Sequence, residues 1–410
     1  VEAIACSGDD PALVQRLLSE AMARWLDAGH LFALLPLEGE GGGTVLAAAR
    51  AVGGAELPRV GPATGNGALA MLRLDDPLVL VWDMEGVLQP PFVSAPAVVG
   101  ALAEGRRAMA RFFVELTPGD ALLHLNEDVL KRRVAEWAAT LFGASGPGRR
   151  RIVLGLGRLF SRDIVGNAPT IAIELERCLT WQGYEGGLFP LHGSAPLELQ
   201  LAVVRELGRE AILLAPFLDS AEAVIQTVTT AREVGVHVGE VLIGVTSASV
   251  SAALELRGIG HRCLALVPRW QGVMRESAVA PYLGGWSIVG RAPLEAGSLL
   301  PSLPDCLPYH YPHHLGLSGP AALDFSRVAL HHARRLLHAI EETFREREGR
   351  LLSVRDLGAV VRIPRCPPLP EGFLPPRERI PSELLAEDIE ALARLHPETH
   401  AAHRERWSDV

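Results

Sequence analysis

From Ala211 to Ala248 the chain reads AILLAPFLDSAEAVIQTVTTAREVGVHVGEVLIGVTSA: an apolar run, a short small-residue loop, a helical stretch and a second apolar run. Asp219, Ser220 and Ala221 stand where the first run turns into the helix; Thr246, Ser247 and Ser249 stand at the same point after the second. A loop leading from a strand into a helix exposes backbone N–H groups at the positive end of the helix dipole, and so favours anions, phosphate above all. About sixty residues before Asp219, RIVLGLGRLFSRDIV sets Gly155, Gly157, Arg158, Ser161 and Arg162 behind another apolar run. The glycines let backbone approach an anion closely, and the arginines offer bidentate donors to it. Asp219 has the chemistry of a general base or of a charge that steers a cationic transition state. Its competing role, shared with Ser220, is to cap the helix that follows.

Three further groups of residues have types that do chemistry. In LVLVWDMEGVLQ, Asp83 and Glu85 sit one residue apart at the end of an apolar run. This resembles the nucleophile motif of haloacid-dehalogenase-like phosphatases, which implies attack on phosphate with magnesium present; here the second acid is Glu, and Thr117 falls where a second motif belongs. EGEGGGTVLAAARAV, from Glu38, has the form of another phosphate loop or of a plain turn. Finally, DCLPYHYPHHLGLSG carries Cys306, His310, His313 and His314, with His331, His332 and His338 beyond it. Zinc asks for four nitrogen or sulfur ligands in a tetrahedron, and one cysteine with two adjacent histidines does not supply an evident set, so the segment reads as a histidine-rich loop near a cleft.

The order of the loops at Gly157, Asp219 and Thr246 resembles the type I phosphoribosyltransferase superfamily over roughly residues 150 to 290. The resemblance implies a pyrophosphate loop at Gly157 and Arg158 and a 5-phosphate loop from Asp219 through Ser220, Ala221 and Glu222 to Ala223. The chain departs from the family pattern where its acidic pair belongs, since Ala215 and Pro216 stand there, and Glu222 puts a negative charge where a dianion would bind. The expectation is a protein that binds a nucleotide or phosphorylated sugar through Gly155, Gly157, Arg158, Arg162, Ser220, Ala221, Thr246, Ser247 and Ser249, with Asp219 as the catalytic residue of a glycosyl-transfer reaction. Its rivals are a binding or regulatory protein that kept the fold without the catalysis, and a phosphatase using Asp83. Magnesium is the one cofactor these readings bring in, and no protein ligands for a metal are assigned.

Composition narrows the partners. With 410 residues, 48% apolar and 21% charged, the chain has the profile of a folded globular protein with room for more than one core. Its net charge is −9 with no long basic run, which leaves no footprint for nucleic acid or an acidic membrane surface. Lys131 is the single lysine, so a Walker-type lysine behind a glycine-rich loop is missing. Five scattered cysteines without a CxxC make a disulfide framework a poor expectation. No apolar run reaches the ~18 residues of a membrane span, and the first residues are acidic where a signal peptide is basic, so a cytoplasmic address is expected.

The elements that must position these residues alternate between strand-like and helix-like patterns, which predicts an α/β layer architecture. The expected organisation is an α/β domain over 1–145, a Rossmann-like or phosphoribosyltransferase-like parallel-sheet domain over 150–290, and a helical, Pro-rich extension over 291–410. In the first region a strand is expected at Leu31 to Leu37, another at Pro77 to Trp82, a helix from Pro96 to Ala110 and a strand from Arg111 to Leu116. In the second, strands are expected at Ile152 to Leu156, Gly187 to Leu191, Ala211 to Ala215, Glu240 to Val245 and Cys263 to Val267. Helices are expected at Pro169 to Thr180, Leu197 to Leu207, Ala221 to Val234 and Val250 to Arg257. A long amphipathic helix from Ala321 to Arg347 should pack on a core or on a second copy, making a homodimer one option, and Trp270, Tyr282 and Trp286 are candidates to stack a planar ring.

Overall fold

The structure is a computed structural model that describes residues 13–18, 21, 32–37, 55–57, 68–73, 76–116, 121–144, 151–156, 170–180, 185–190, 194–207, 210–284, 287–289, 317, 319–362 and 377–393. Its strands are β1 (Phe32–Leu37), β2 (Ala55–Leu57), β3 (Ala68–Arg73), β4 (Leu78–Trp82), β5 (Leu122–Asn126), β6 (Arg151–Leu156) and β7 (Thr170–Ile173). They continue with β8 (Leu175–Thr180), β9 (Glu185–Pro190), β10 (Glu210–Leu218), β11 (Val238–Ser247), β12 (His261–Val267), β13 (Gly272–Arg275) and β14 (Ser287–Val289). The longer helices are α1 (Pro96–Leu116), α2 (Glu127–Ala144), α3 (Leu197–Glu206), α4 (Glu222–Glu233), α5 (Ala248–Leu256), α6 (Gly319–Glu348) and α7 (Pro381–Leu392). The fold is mixed α/β, with two sheets in which every pairing is parallel.

The chain divides into two units, each gathered from three separate segments. Unit 1 takes Val1–Pro77, Val129–Leu175 and Pro190–Trp270; unit 2 takes Leu78–Asp128, Glu176–Phe189 and Gln271–Val410.

Unit 1 is built on the five-stranded sheet β12-β11-β10-β6-β7. Its central strands are apolar on both faces, as a parallel sheet covered twice must be. Ile152, Leu154, Leu213, Ala215, Val241 and Ile243 pack with Leu201 and Val204 of α3, Val224 and Val228 of α4, and Leu254 of α5. The alternate positions Val153, Ile212, Leu214 and Leu242 pack with Val134, Ala135 and Ala138 of α2 on the other face. Period-two alternation along the strands thus sorts the residues into two cores. A separate antiparallel sheet has the order β1-β3-β2, with Phe32 beside Arg73 and Leu37 beside Ala68.

Unit 2 holds the parallel sheet β13-β4-β5, in which all five residues of β4 are buried. Helix α1 buries Val98, Ala101, Leu102, Gly105, Met109 and Phe113, a three-and-four spacing that makes one apolar stripe. The stripe ends at Phe113, inside the segment expected as a strand at Arg111 to Leu116. That segment is instead the last turns of α1: Phe112 and Phe113 both meet Phe325 of α6, with ring centroids 5.2 and 4.8 Å apart. The apolar face of α6 packs within its own unit through Phe325, Ala329, Leu330, Leu336, Leu337, Ile340 and Phe344. The helix expected at Pro169 to Thr180 is likewise corrected, to strands β7 and β8, whose TIAI and LERCLT carry the β-branched and alternating pattern of strands.

Candidate functional site

Parallel strands point their carboxyl ends to one edge, and ligands of open α/β sheets gather where the strand order reverses there. In unit 1 that reversal lies between β6 and β10: β6 leads to β7 on one side, while β10 leads through α4 to β11 on the other. Gly155 faces Leu214 across this junction, and β10 runs on for four residues to Leu218, ~13 Å at the usual rise of a strand.

The loops after β10 and β11 lie next to each other, because Leu218 is the register partner of Thr246. Asp219 is exposed at the first loop. Ser220 Oγ accepts the Glu222 N–H at 3.3 Å, a local turn just ahead of α4, whose N-cap residue is Ala221 and carries no side-chain cap bond. Ala221 is buried. At the second loop Ser247 Oγ accepts the Val250 N–H at 3.3 Å and meets the exposed Ser249 hydroxyl at 2.9 Å, which caps α5. Thr246 is wholly buried, and its Oγ1 donates to the Leu218 carbonyl at 2.9 Å, fastening β11 to β10.

Ala215 and Pro216, which stand where the acidic pair would fall, are buried core; Pro216 lies past the last β6 partner, and the sheet tolerates it there. A Cβ on Gly244 would come within 2.1 Å of the Pro216 carbonyl oxygen, so glycine is required for this close pairing of β10 and β11. Trp270, half-buried beyond β12, packs against Phe217 with ring centroids 5.6 Å apart and so stands near the same edge. Gly157, Arg158, Ser161 and Arg162 lie outside the described residues, as do Cys306, His310, His313 and His314.

Unit 2 repeats the geometry with different chemistry. At the carboxyl ends of β4, β5 and β13 stand Asp83, Glu127 and the run Arg275, Glu276 and Ser277. Asp83 accepts the Ser277 N–H at 2.8 Å and the Ser277 hydroxyl at 2.6 Å. Arg275 Nη1 lies 3.0 Å from Glu127 Oε2 and 3.8 Å from Asp83 Oδ2. Burial, then the neighbouring Glu127 charge, pushes the Asp83 carboxyl up to about 6, against the pull of Arg275 and the Ser277 hydrogen bonds.

A second knot adjoins it through Glu276, which is fully buried. Arg106 from α1 donates to both Glu276 oxygens and forms a bidentate pair with Glu85 at 2.5 and 2.6 Å. His332 from α6 meets Glu276 Oε1 through Nε2 at 3.1 Å. Burial would raise the Glu276 pKa, but the His332 hydrogen bond and the charge of Arg106 outweigh it and hold the group below its ordinary range. Arg106 also lies over the Trp82 ring, 5.6 Å from its centroid.

Glu85 is thus committed to Arg106 and Asp83 to Ser277, an arrangement that does not fit a magnesium ion held between these two acids. Among the described residues no group of three or more His, Cys, Asp or Glu side chains is placed to hold a metal. Sequence reasoning singled out Asp83 and Glu85 but not Arg106, Glu127, Arg275, Glu276 or Ser277. The available signal was a polar residue after each apolar strand: Asp83 after LVLVW, Glu127 after LLHLN and Glu276 after GVMR.

Comparison of the sequence with models of known protein families and with curated proteins gives no match.

Proposed function

We propose that unit 1 binds a nucleotide or phosphorylated sugar at the carboxyl edge of its parallel sheet, and that the arrangement is phosphoribosyltransferase-like. The observation that carries this reading is the reversal of strand order between β6 and β10, with the amino ends of α4 and α5 at the same edge. The loop carrying Gly157, Arg158 and Arg162 follows β6 in the chain. Trp270, beside Phe217, supplies a flat apolar surface for a base.

Within this reading Asp219 acts on the reacting ring, as base or as a charge steering a cationic transition state. A second reading, a binding protein without turnover, is favoured by one observation: Ala215 and Pro216 are buried apolar residues where the acidic pair of a transferase would be. The two readings separate in one assay. Release of pyrophosphate from phosphoribosyl pyrophosphate in the presence of nucleobases, abolished in Asp219→Asn while binding persists, supports transfer. Binding with no release from the wild-type chain assigns the second reading.

A further inference from the structure

We propose that Ser251 and His261 of unit 1 form a nucleophilic dyad that accepts the acyl group of a small activated ester. Ser251 lies on α5 and His261 opens β12, and the Ser251 hydroxyl is 2.8 Å from His261 Nε2. The other ring nitrogen, Nδ1, is 3.2 Å from the Ile259 carbonyl oxygen. A carbonyl only accepts, so Nδ1 carries the proton of the neutral ring, and Nε2 is left with a lone pair. The Ser251 O–H must then donate to Nε2. A hydroxyl donating to an imidazole that a third group orients is the arrangement that activates a serine.

The surroundings agree. Ser251 is 7% exposed, and His261 is half-buried on an edge strand of the sheet. Cys263 and Ala265 share the His261 side of β12, while Leu254 and Glu255 stand one turn on from Ser251 along α5. Cys263 is no rival nucleophile: burial, then the Glu255 charge, pushes its thiol up to about 12.

In the step, Ser251 Oγ attacks the ester carbonyl carbon while its proton passes to His261 Nε2. The bond from that carbon to the leaving oxygen breaks, and the leaving group takes the proton from His261. Water, deprotonated by the same nitrogen, then releases the acid and restores the serine. The dyad is independent of the proposed phosphate edge and of its failure or success.

The test uses the full chain with p-nitrophenyl acetate, followed by peptide mapping in a mass spectrometer. One acetyl group on Ser251 is expected, at a rate that drops by about 100-fold in His261→Ala. An acetyl group found only elsewhere, such as on Lys131, overturns the proposal. So does acetylation of Ser251 at an unchanged rate in folded His261→Ala. The wild-type map decides between presence and absence even where a variant fails to fold.

Discussion

Burial alone would raise the pKa of both Asp83 and Glu276, and the two differ because of what their neighbours carry. Glu276 sits between a guanidinium and an imidazole, whereas Asp83 has another carboxylate, Glu127, across Arg275. With a folded-state pKa of about 6 against 3.8, Asp83 binds its proton more tightly in the native state. Its contribution to stability is full below pH ~4 and is lost as the pH rises through ~6, about 3 kcal/mol in all. Asp83→Asn should therefore be the more stable protein at pH 7.5, by about 2 kcal/mol, and its stability should change less than the wild type's between pH 4 and 6. Urea melts across that range check this; a less stable Asp83→Asn at pH 7.5 contradicts it. Glu276 has the opposite linkage: its contribution is present above the unfolded pKa and is lost as pH falls through the lowered folded one. That Asp83 ends a strand is legible in LVLVWD, but Arg275 and Glu127, which set its charge balance, are far from it in sequence and no local pattern names them.

At the scale of elements, caps and close approaches are where single residues decide the fold. Ser247 caps α5, so Ser247→Ala should cost about 1 kcal/mol by chemical denaturation, and an unchanged midpoint would deny the cap. Gly105 on α1 admits the His332 ring: a Cβ there would lie 1.6 Å from His332 Nδ1. Gly105→Ala must push His332 away from Glu276, and the expected loss is about 2 kcal/mol or more. Equal thermal stability of Gly105→Ala and wild type would show that α1 and α6 pack otherwise. The strands β10, β11 and β12 and the helices α3, α4 and α5 were legible from periodicity and turn chemistry. The end of α1 and the strands β7 and β8 were not. FFVEL looks like a strand because aromatic and branched residues crowd together, yet Phe113 meets Phe325 only in the folded unit, and this long-range packing overrides propensity.

Across the whole molecule each unit gathers segments far apart in the chain. Gly272 of β13 pairs beside Leu78 of β4, a partnership no window of sequence announces. The result is two parallel sheets whose carboxyl edges carry different chemistry: capped helix ends in unit 1, buried ion pairs in unit 2. No helix among the described residues is long and apolar enough to cross a membrane. The loops at Asp219 and Thr246 were legible as the ends of two successive strands of one βαβ unit; that Leu218 stands opposite Thr246 was not, since register is a property of pairing. The most direct measurement is a thermal-shift titration of the full chain with phosphoribosyl pyrophosphate and with pyrophosphate, with and without magnesium. A ligand that binds the native state at a hundred times its Kd adds ~2.7 kcal/mol, so a rise in Tm that disappears in Arg158→Ala is the predicted result. No shift with any phosphate compound, or a shift that Arg158→Ala leaves intact, would contradict a phosphate site at this edge.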